Sequence, residues 1–356
     1  MTVYACLDCG ETAPSAVVHR CPACGGMFGI PDGITYDRKA LIPDAPGIWR
    51  YRETFGLPGT APLLTLGEGN TPLVPVQAHG TDLFLKLESS NPSGSYKDRL
   101  AAVLVSALVA GGVQSAVEDS SGNAGAAFAA YAARAGIRAQ VFVPESASGP
   151  KRAQIECYGA AVVPVPGPRQ AAADAVMQAV RQGSVYASHA WLPQGLAGVA
   201  TIAYELVAEL GSVPGSVLAP VGHGGLLYGI ILGFQAMLRA GEIENLPHFV
   251  GVQARQNAPL WSAAQGREFV PGTTAAEGIA VRQPARMQEL MDLQRSGSVQ
   301  FVAVEEEQIR SGWKSLAASG IYAEPTSAVV WDAYLRTHQS LQPPVVAIIS
   351  GHGLKA

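Results

Sequence analysis

The feature that most constrains the fold is an alternation of short strand-like runs and longer helix-like runs between residues 82 and 351. For example, the β-prone run "SAVEDSS" (115–121) is followed by the alanine-rich run "GNAGAAFAAYAARAG" (122–136). Strands that alternate with helices of this length form mostly parallel sheets with helices packed on them. The sequence therefore predicts an α/β fold with a doubly wound sheet.

The same alternation continues along most of the chain. A Pro- and Gly-rich segment with weak periodicity precedes it, and we expect a connecting arm there with one short helix near 47–55. The predicted strands are 82–88, 115–121, 139–144, 160–166, 215–222, 248–254 and 345–351, and the predicted helices are 97–112, 122–136, 148–159, 169–183, 197–210 and 225–241.

Four of the five cysteines fall in the first 24 residues, as "CLDC" and "CPAC". Two C-x2-C pairs offer four thiolates to one tetrahedral zinc ion, and the glycines that follow them suit tight turns. Two disulfides are the alternative, which a chain without a secretory signal makes unfavourable. We predict a structural zinc ribbon with Cys6, Cys9, Cys21 and Cys24 as ligands, and a buried packing role for Cys157.

Composition excludes several classes of protein. The chain is 48% hydrophobic and 15% charged, with a net charge of −4, which is typical of a globular protein with a large core. No basic patch of the kind that nucleic-acid binders carry is present. The apolar run 101–117 is interrupted by serines, a Gly-Gly pair and a glutamine, so it predicts a core helix rather than a membrane span. We expect a soluble, cytoplasmic protein.

Ligands of doubly wound sheets bind beyond the carboxyl ends of strands, so the strand-to-helix junctions are the places to search. One junction is "NPSGSYKDR" (91–99), which places Lys97, one of only six lysines, at the start of an apolar helix. The positive end of the helix dipole lies there, which is an unusual place for a cation. A surface lysine paired with a nearby acid is the alternative.

Two further junctions and one strand end are rich in small polar residues. "SSGNAG" (120–125) would offer amides and hydroxyls to a carboxylate or phosphate, or would serve as an ordinary N-cap. "GHGGL" (222–226) has three glycines in four residues, which favours phosphate binding over a tight turn. Ser350 follows a strand and would meet a ligand or cap a turn. A lysine amine, a phosphate cradle and hydroxyl partners are the groups that pyridoxal phosphate needs.

These segments carry a resemblance that covers nearly the whole chain. The sequence resembles the threonine synthase-like members of the fold type II family of pyridoxal-phosphate enzymes, some of which have a four-cysteine ribbon. The shared motifs, in order, are "LGEGNTPLVP" (66–75), "NPSGSYKDR" (91–99), "SSGNAG" (120–125), "VGHGGLLYG" (221–229), "AEGIAV" (276–281), "EPTSA" (324–328) and "SGHGLK" (350–355).

The resemblance implies two doubly wound, three-layer α/β domains preceded by the ribbon. Its implied division of the chain is a zinc ribbon (1–28), an arm with part of the larger domain (29–84), a smaller domain (85–184) and a larger domain that binds the cofactor phosphate (185–356). A homodimer is implied as well, since relatives are commonly dimers.

The resemblance also implies the roles of individual residues. Lys97 would carry pyridoxal phosphate as an internal aldimine and act as the general base, Asn123 would donate to the ring hydroxyl oxygen, and Ser350 would face the ring nitrogen. The loop that receives the substrate carboxylate would contain Ser120, Ser121 and Ala124. The cofactor phosphate would be held by Gly222, His223, Gly224, Gly225 and Leu226.

The implied activity is that of a carbon–oxygen lyase that converts O-phosphohomoserine and water to threonine and phosphate. The sequence departs from the family pattern at Ser93, Tyr96, Leu100 and Ala124. These departures leave the cofactor site intact and bear on which substrate the protein binds. The closest alternative is β-elimination or β-replacement on serine, threonine, phosphoserine or a related amino acid, as in threonine dehydratase or cysteate synthase. A zinc-ribbon binding module without catalysis is a third reading, and the presence of Lys97 argues against it.

Overall fold

The computed structural model describes residues 3–15, 17–78, 81–147 and 149–356. The chain forms two compact units, and each consists of two separate stretches of sequence. The first unit contains the chain up to Gly69 together with Lys97–Thr201, and the second contains Asn70–Tyr96 and Ile202–Ala356. The division at 28/29, 84/85 and 184/185 that the resemblance implies stays a prediction.

The secondary structure follows the predicted alternation of strands and helices. The 3-10 helices are Arg38–Ala40, Gly47–Phe55, Glu88–Ser90, Arg255–Asn257, Glu277–Ile279, His338–Ser340 and Gly353–Lys355. The strands are β1 Ala5–Cys6, β2 Phe28–Gly29, β3 Leu73–Ala78, β4 Thr81–Lys86, β5 Ser115–Glu118, β6 Arg138–Pro144, β7 Ala161–Val165, β8 Val185–Tyr186, β9 Ser216–Pro220, β10 His248–Ala254, β11 Val299–Val304 and β12 Val345–Ile348. The helices are α1 Lys97–Ala110, α2 Asn123–Ala135, α3 Pro150–Cys157, α4 Arg169–Arg181, α5 Gln194–Leu210, α6 Gly225–Arg239, α7 Pro259–Ala264, α8 Met287–Arg295, α9 Glu306–Ala318 and α10 Pro325–Thr337.

The first unit contains a four-stranded sheet in the order β7-β6-β5-β8, and all of its strands are parallel. The chain moves outward from β5 to β6 and β7, then returns to place β8 on the other side of β5. The strand order therefore reverses between β5 and β8, and such a switch point opens a crevice at the carboxyl ends of the two strands. A separate antiparallel pair, β1 and β2, belongs to the cysteine-rich segment.

The second unit contains a six-stranded sheet in the order β11-β10-β9-β12-β4-β3. All neighbours are parallel except β3 and β4 at the edge. This antiparallel edge strand was missed from the sequence, because "LVPVQA" contains a proline and follows the irregular arm. Here the strand order reverses between β9 and β12, which gives the second unit its own switch point.

Helices α1 and α2 show why the apolar runs of the first unit form helices. Residues 98–108 of α1 are buried, including Asp98 and Arg99, so the helix is apolar on nearly all sides because it lies in the core. Helix α2 ends at Gly136, whose φ of 71° allows its N–H to bond back to Ala132 O. Within the part of the chain that the structure describes, no helix is long and apolar enough to cross a membrane.

The predicted burial of Cys157 is wrong. This residue ends α3, and its side chain is exposed. Helix α3 buries only Ile155, and the side chain at the last position of the helix is exposed to solvent. The predicted α/β class and the mostly parallel sheets are confirmed.

Candidate functional site

Lys97 is the first residue of α1 and is partly buried. The neighbouring residues on the helix, Asp98 and Arg99, are fully buried, and Arg99 Nη1 donates to Thr201 Oγ1 at 2.9 Å. This hydrogen bond indicates that Arg99 has a structural role. The start of α1 is held tightly against α5, since a Cβ at Gly198 would lie 2.0 Å from the Arg99 carbonyl oxygen.

The loop after β5 leads into α2 and contains the predicted Ser-Ser-Gly-Asn motif. Ser120, Ser121 and Asn123 are partly buried, and Ala124 is buried. Gly122 is the N-cap of α2 and has no side chain with which to cap the helix, and the N-terminus of a helix attracts anions. The loop stays close to the helix because α2 has glycine at position 125.

Two buried ionisable residues lie beside this loop, and both were missed from the sequence. Glu118 ends β5, and His189 follows β8; their side chains are 0% and 11% exposed. Nδ1 of His189 lies 2.5 Å from Oε1 of Glu118, and Oε2 accepts a hydrogen bond from the backbone N–H of Asp119. The pair therefore lies at the β5/β8 switch point of the first unit.

The electrostatic surroundings push the two groups toward their uncharged forms. Burial raises the pKa of Glu118, although the charges of Arg169 and Lys97 oppose this. Burial lowers the pKa of His189 well below its ordinary value, and the charge of Lys97 adds to this. His189 is thus neutral at neutral pH, and we assign the Nδ1–H tautomer because Nδ1 faces a carboxylate.

A second set of contacts ties the same strand ends together. The carboxylate of Asp119 accepts hydrogen bonds from Tyr186 at 2.7 Å and from Arg169 at 2.8 Å. Burial and the neighbouring charge of Glu118 raise the pKa of Asp119. Because Tyr186 ends β8 and Arg169 begins α4, three elements of the first unit meet at Asp119.

The predicted phosphate cradle lies in the second unit, between β9 and α6. Gly224 has a φ of 94° and caps α6 without a side chain, so the helix presents its first amides. A Cβ at Gly222 would lie 3.1 Å from Gly278 O, and one at Gly224 would lie 2.7 Å from Leu290 Cδ1. The loop is therefore packed so closely against its neighbours that side chains do not fit at these two glycine positions.

Ser350 follows β12, the strand beside β9, and is 2% exposed. Its Oγ lies 3.0 Å from Oγ of Ser327, and its carbonyl oxygen accepts from the backbone N–H of Tyr96 at 3.0 Å. Lys97 is the next residue in the chain after Tyr96. The second unit thus brings the glycine loop, Ser350 and the "EPTSA" segment to the switch point of one sheet.

The residues fit pyridoxal phosphate in two respects. The backbone amides at the start of α6 lie in a loop that has no room for side chains, so a phosphate group can approach them closely. Lys97 is a partly buried amine at the start of a helix, which suits it to react with an aldehyde.

The four predicted cysteine ligands come together in the first unit. Their sulfur atoms all lie within 4.8 Å of one another, with Cys6 Sγ 3.4 Å from Cys24 Sγ and Cys9 Sγ 3.7 Å from Cys21 Sγ. These separations are too long for disulfides and match the edges of a tetrahedron of sulfurs about 2.3 Å from a metal. The cluster can therefore hold a metal ion.

The two cysteine turns have the same geometry. The carbonyl oxygen of Cys6 accepts from Gly10 N at 2.9 Å, and that of Cys21 accepts from Gly25 N at 2.8 Å. Both glycines have positive φ angles, 76° and 77°. The glycines predicted to allow tight turns are thus required by the backbone conformation.

The surroundings lower the pKa of one cysteine of the cluster and raise that of another. Burial raises the pKa of the Cys6 thiol, but hydrogen bonds from the backbone of Cys9 and Asp8 outweigh it and bring the pKa to about 7. The N–H of Gly26 lowers the pKa of Cys24, but the neighbouring sulfurs of Cys6 and Cys9 raise it to about 12. Crowded thiolates repel one another, and a divalent cation relieves that repulsion.

The motifs have counterparts in a known family. Residues 64–351 match the family model described as "Pyridoxal-phosphate dependent enzyme". The chain belongs to this family. The matched range contains both switch points and begins after the cysteine cluster.

Curated relatives of the family match most of the chain. It is 34% identical to a threonine synthase of Synechocystis sp. in an alignment 318 positions long, gaps included, that covers 86% of this chain and 82% of that protein. It is 32% identical to a threonine synthase of Methanocaldococcus jannaschii in an alignment 378 positions long, gaps included, that covers 98% of this chain and 92% of that protein. The second match therefore includes the cysteine-rich segment.

Solved structures of related enzymes share the fold. A threonine deaminase from T.th. has a TM-score of 0.67 and 26% identity, covering 79% of this chain and 92% of that one. An O-ureido-L-serine synthase has a TM-score of 0.67 and 25% identity, covering 80% and 90%. The expectation of a fold type II pyridoxal-phosphate enzyme is confirmed.

Proposed function

We propose that the protein is a pyridoxal-phosphate-dependent threonine synthase, a lyase that converts O-phosphohomoserine and water to threonine and phosphate. The observation that carries this proposal is the likeness to a threonine synthase over 98% of the chain. Likeness over that length includes the cysteine cluster as well as the cofactor motifs.

Lys97 is the residue on which the chemistry depends. When bound, pyridoxal phosphate withdraws electrons from the Cα of an attached amino acid and makes its proton acidic. Lys97 would hold the aldehyde carbon of the cofactor, and its amine, when free, would take up the Cα proton of the substrate. The same amine can return a proton later because it changes protonation state readily.

The other site residues orient the cofactor and the substrate. The amides of 222–226 would bind the cofactor phosphate, Asn123 would donate to the ring hydroxyl oxygen, and Ser350 would offer its hydroxyl to the ring nitrogen. The amides at the start of α2, with Ser120 and Ser121, bind the substrate carboxylate. Ala124 contributes only its backbone, because its side chain has no polar atom.

A second candidate function is β-elimination or β-replacement on an amino acid without a phosphate group. The buried carboxyl groups of Glu118 and Asp119 directly precede the substrate loop, and this observation favours the second candidate. Where these carboxyl groups are ionised, their negative charge opposes a dianionic phosphate, and Arg169, which is paired with Asp119, offsets one of the two charges.

The deciding experiment follows inorganic phosphate and threonine together after purified protein is mixed with O-phosphohomoserine. Equal release of both supports threonine synthase. If neither forms, serine, threonine and O-substituted serines are tested for oxo-acid or replacement products, and such products establish the second candidate. Lys97→Ala is the control in each assay and should give no product.

The cysteine cluster completes the proposal. We expect it to bind one zinc ion in a structural role, since all four positions of a tetrahedral site are filled by cysteine sulfurs and none is left for substrate.

The predicted homodimer stays a prediction, and gel filtration with light scattering would test it.

A further inference from the structure

A buried arginine lies against the glycine loop at residues 222–226, and the proposed function gives it no role. Arg286 immediately precedes α8, and its side chain is only 2% exposed. It is among the largest fully buried side chains in the part of the chain that the structure describes. Charged side chains are rarely buried to this extent unless they are paired. Arg286 and the loop both belong to the second unit.

Two contacts fix Arg286 beside the loop. Its backbone N–H donates to the carbonyl oxygen of His223 at 3.0 Å. Its Cβ lies 2.9 Å from the position that a Cβ at Gly224 would occupy, and its Cγ lies 3.6 Å from that position, so the stem of the side chain packs against the glycine. Leu290, one turn further along α8, packs on the same glycine. The start of α8 is therefore in direct contact with the loop.

One acidic residue of α8 holds the guanidinium. Nη1 of Arg286 lies 2.9 Å from Oε1 of Glu289, whose side chain is 10% exposed. A buried ion pair contributes little net stability, because the cost of removing both charges from water offsets their attraction. Stability alone therefore gives little reason for an arginine at this position.

The loop itself carries no arginine or lysine. From Gly222 to Leu226 the only ionisable side chain is that of His223. The phosphate that this loop is proposed to bind carries nearly two negative charges at neutral pH, and an anion that leaves water needs a compensating charge as well as hydrogen bonds. A guanidinium is always charged, and its planar set of N–H donors suits phosphate oxygens.

We infer that Arg286 completes the anion site of this loop: its guanidinium supplies the positive charge that allows a dianionic phosphate to bind at the amides of 222–226, and Glu289 holds the guanidinium in place. The inference rests on the proposed role of the loop in binding the cofactor phosphate. It does not depend on which amino acid is the substrate, since both candidate functions use the same cofactor. Arg286 should therefore set the preference of the protein for the phosphorylated form of the cofactor.

The test compares pyridoxal phosphate with pyridoxal, which has the same ring and aldehyde carbon but no phosphate. The full chain freed of cofactor is titrated with each compound, and absorption gives the two Kd values. The ratio of the Kd for pyridoxal to the Kd for pyridoxal phosphate measures the preference for the phosphorylated form. We expect Arg286→Gln to lower this ratio about tenfold, the size expected for one nearby charge at intermediate dielectric. Arg286→Lys keeps the charge without the planar set of donors, so its ratio should stay within about threefold of the wild type.

A variant of Glu289 separates this role from a merely structural one. Loss of a structural ion pair should act in the same direction whichever partner is changed. In Glu289→Gln the amide oxygen can still accept a hydrogen bond from the guanidinium, but the positive charge of Arg286 is no longer offset, so the ratio should rise. Arg295→Gln is the matched control, because Arg295 lies on the same helix and pairs with Asp292 but is 57% exposed. Its ratio should match the wild type.

Each result bears on the inference. A wild-type ratio in Arg286→Gln, or a ratio that does not rise in Glu289→Gln, would overturn it. A ratio as low in Arg286→Lys as in Arg286→Gln would do the same, since the charge would then have no part. If Arg286→Gln does not fold, the other two variants decide. A wild type that binds pyridoxal phosphate no more tightly than pyridoxal would instead overturn the proposed role of the loop, so the two failures are distinguishable.

Discussion

The hydroxyl oxygens of Ser327 and Ser350 lie 3.0 Å apart in the interior of the second unit. Oγ of Ser327 also accepts a hydrogen bond from the backbone N–H of Gly351 at 2.9 Å. Ser327 lies within the "EPTSA" segment at the start of α10, so this contact joins the helix to the end of β12. It orients the hydroxyl that we propose to face the cofactor ring nitrogen.

Removing either hydroxyl should weaken catalysis without unfolding the protein. We expect Ser350→Ala to lower kcat/KM about tenfold and Ser327→Ala to lower it less, because the loss of one hydrogen bond costs about 1 kcal/mol. Steady-state kinetics with the substrate identified in the phosphate-release assay measures both. Ser340→Ala, a change at an exposed position of the same unit, is the matched control. Equal kinetics in all three variants would contradict the proposed role of Ser350.

Gly224→Ala should weaken cofactor binding. The new Cβ would lie 2.7 Å from Leu290 Cδ1 and 2.9 Å from Arg286 Cβ, at a φ of +94° that alanine rarely adopts. Displacement of the loop should raise the Kd for pyridoxal phosphate about tenfold or more, since such strain costs about 1–3 kcal/mol. Absorption titration measures the Kd.

Gly241→Ala provides the control for that experiment. Gly241 also has a positive φ, +72°, but its Cβ would meet nothing within 4 Å. Its substitution should lower Tm through backbone strain and leave the cofactor Kd unchanged. Equal Kd values in both variants would show that the 222–226 loop does not contact the cofactor.

Gly125→Ala should disturb the substrate loop. Its Cβ would lie 1.9 Å from the carbonyl oxygen of Ser120, so the loop must move away from α2. We expect a higher KM and a loss of stability of about 1–3 kcal/mol from overpacking. Gly59→Ala, at an exposed position with open space around it, should change neither quantity. Unchanged KM in Gly125→Ala would argue against a substrate role for Ser120.

Metal analysis should find one zinc ion per chain, and its removal should lower Tm. The cysteine-rich segment packs on the chain after β8, with the guanidinium of Arg20 3.6 Å from the Trp191 ring centre, so its unfolding would expose that surface. Cys9→Ser should abolish stoichiometric zinc. Cys157→Ser, which changes an exposed cysteine outside the cluster, should leave zinc content and Tm as in the wild type. Protein that binds no zinc when folded would contradict the site.

Stability should decrease as the pH falls, partly because of His189. Burial lowers the pKa of His189 well below 6.5 in the folded state, so at lower pH the unfolded chain takes up a proton that the folded chain does not. This contribution is present above pH 6.5 and is lost as the pH falls below it. Tm measured between about pH 7.5 and 5 should therefore decline less steeply in His189→Asn than in the wild type. Parallel curves would show that His189 is not buried in its neutral form.

Much of the local structure could be predicted from the order of the residues. The turns at Gly10 and Gly25 and the start of α1 at Lys97 depend on neighbouring residues: glycine permits positive φ, and a run of apolar residues forms a buried helix. The same holds for Gly224 at the start of α6. For this reason the cofactor motifs and the candidate metal ligands could be found without a structure.

The tertiary structure decided which of these local elements become neighbours. Nothing near Glu118 in the sequence points to His189, and nothing near Ser350 points to Ser327, because each pair is joined by contacts between distant stretches of chain. The order of strands in each sheet creates both contacts. Strand order depends on hydrogen bonds between whole strands and on the packing of the helices that connect them, which local sequence does not encode. The motifs therefore indicated the cofactor, and the fold supplied the contacts of Glu118 with His189 and of Ser327 with Ser350.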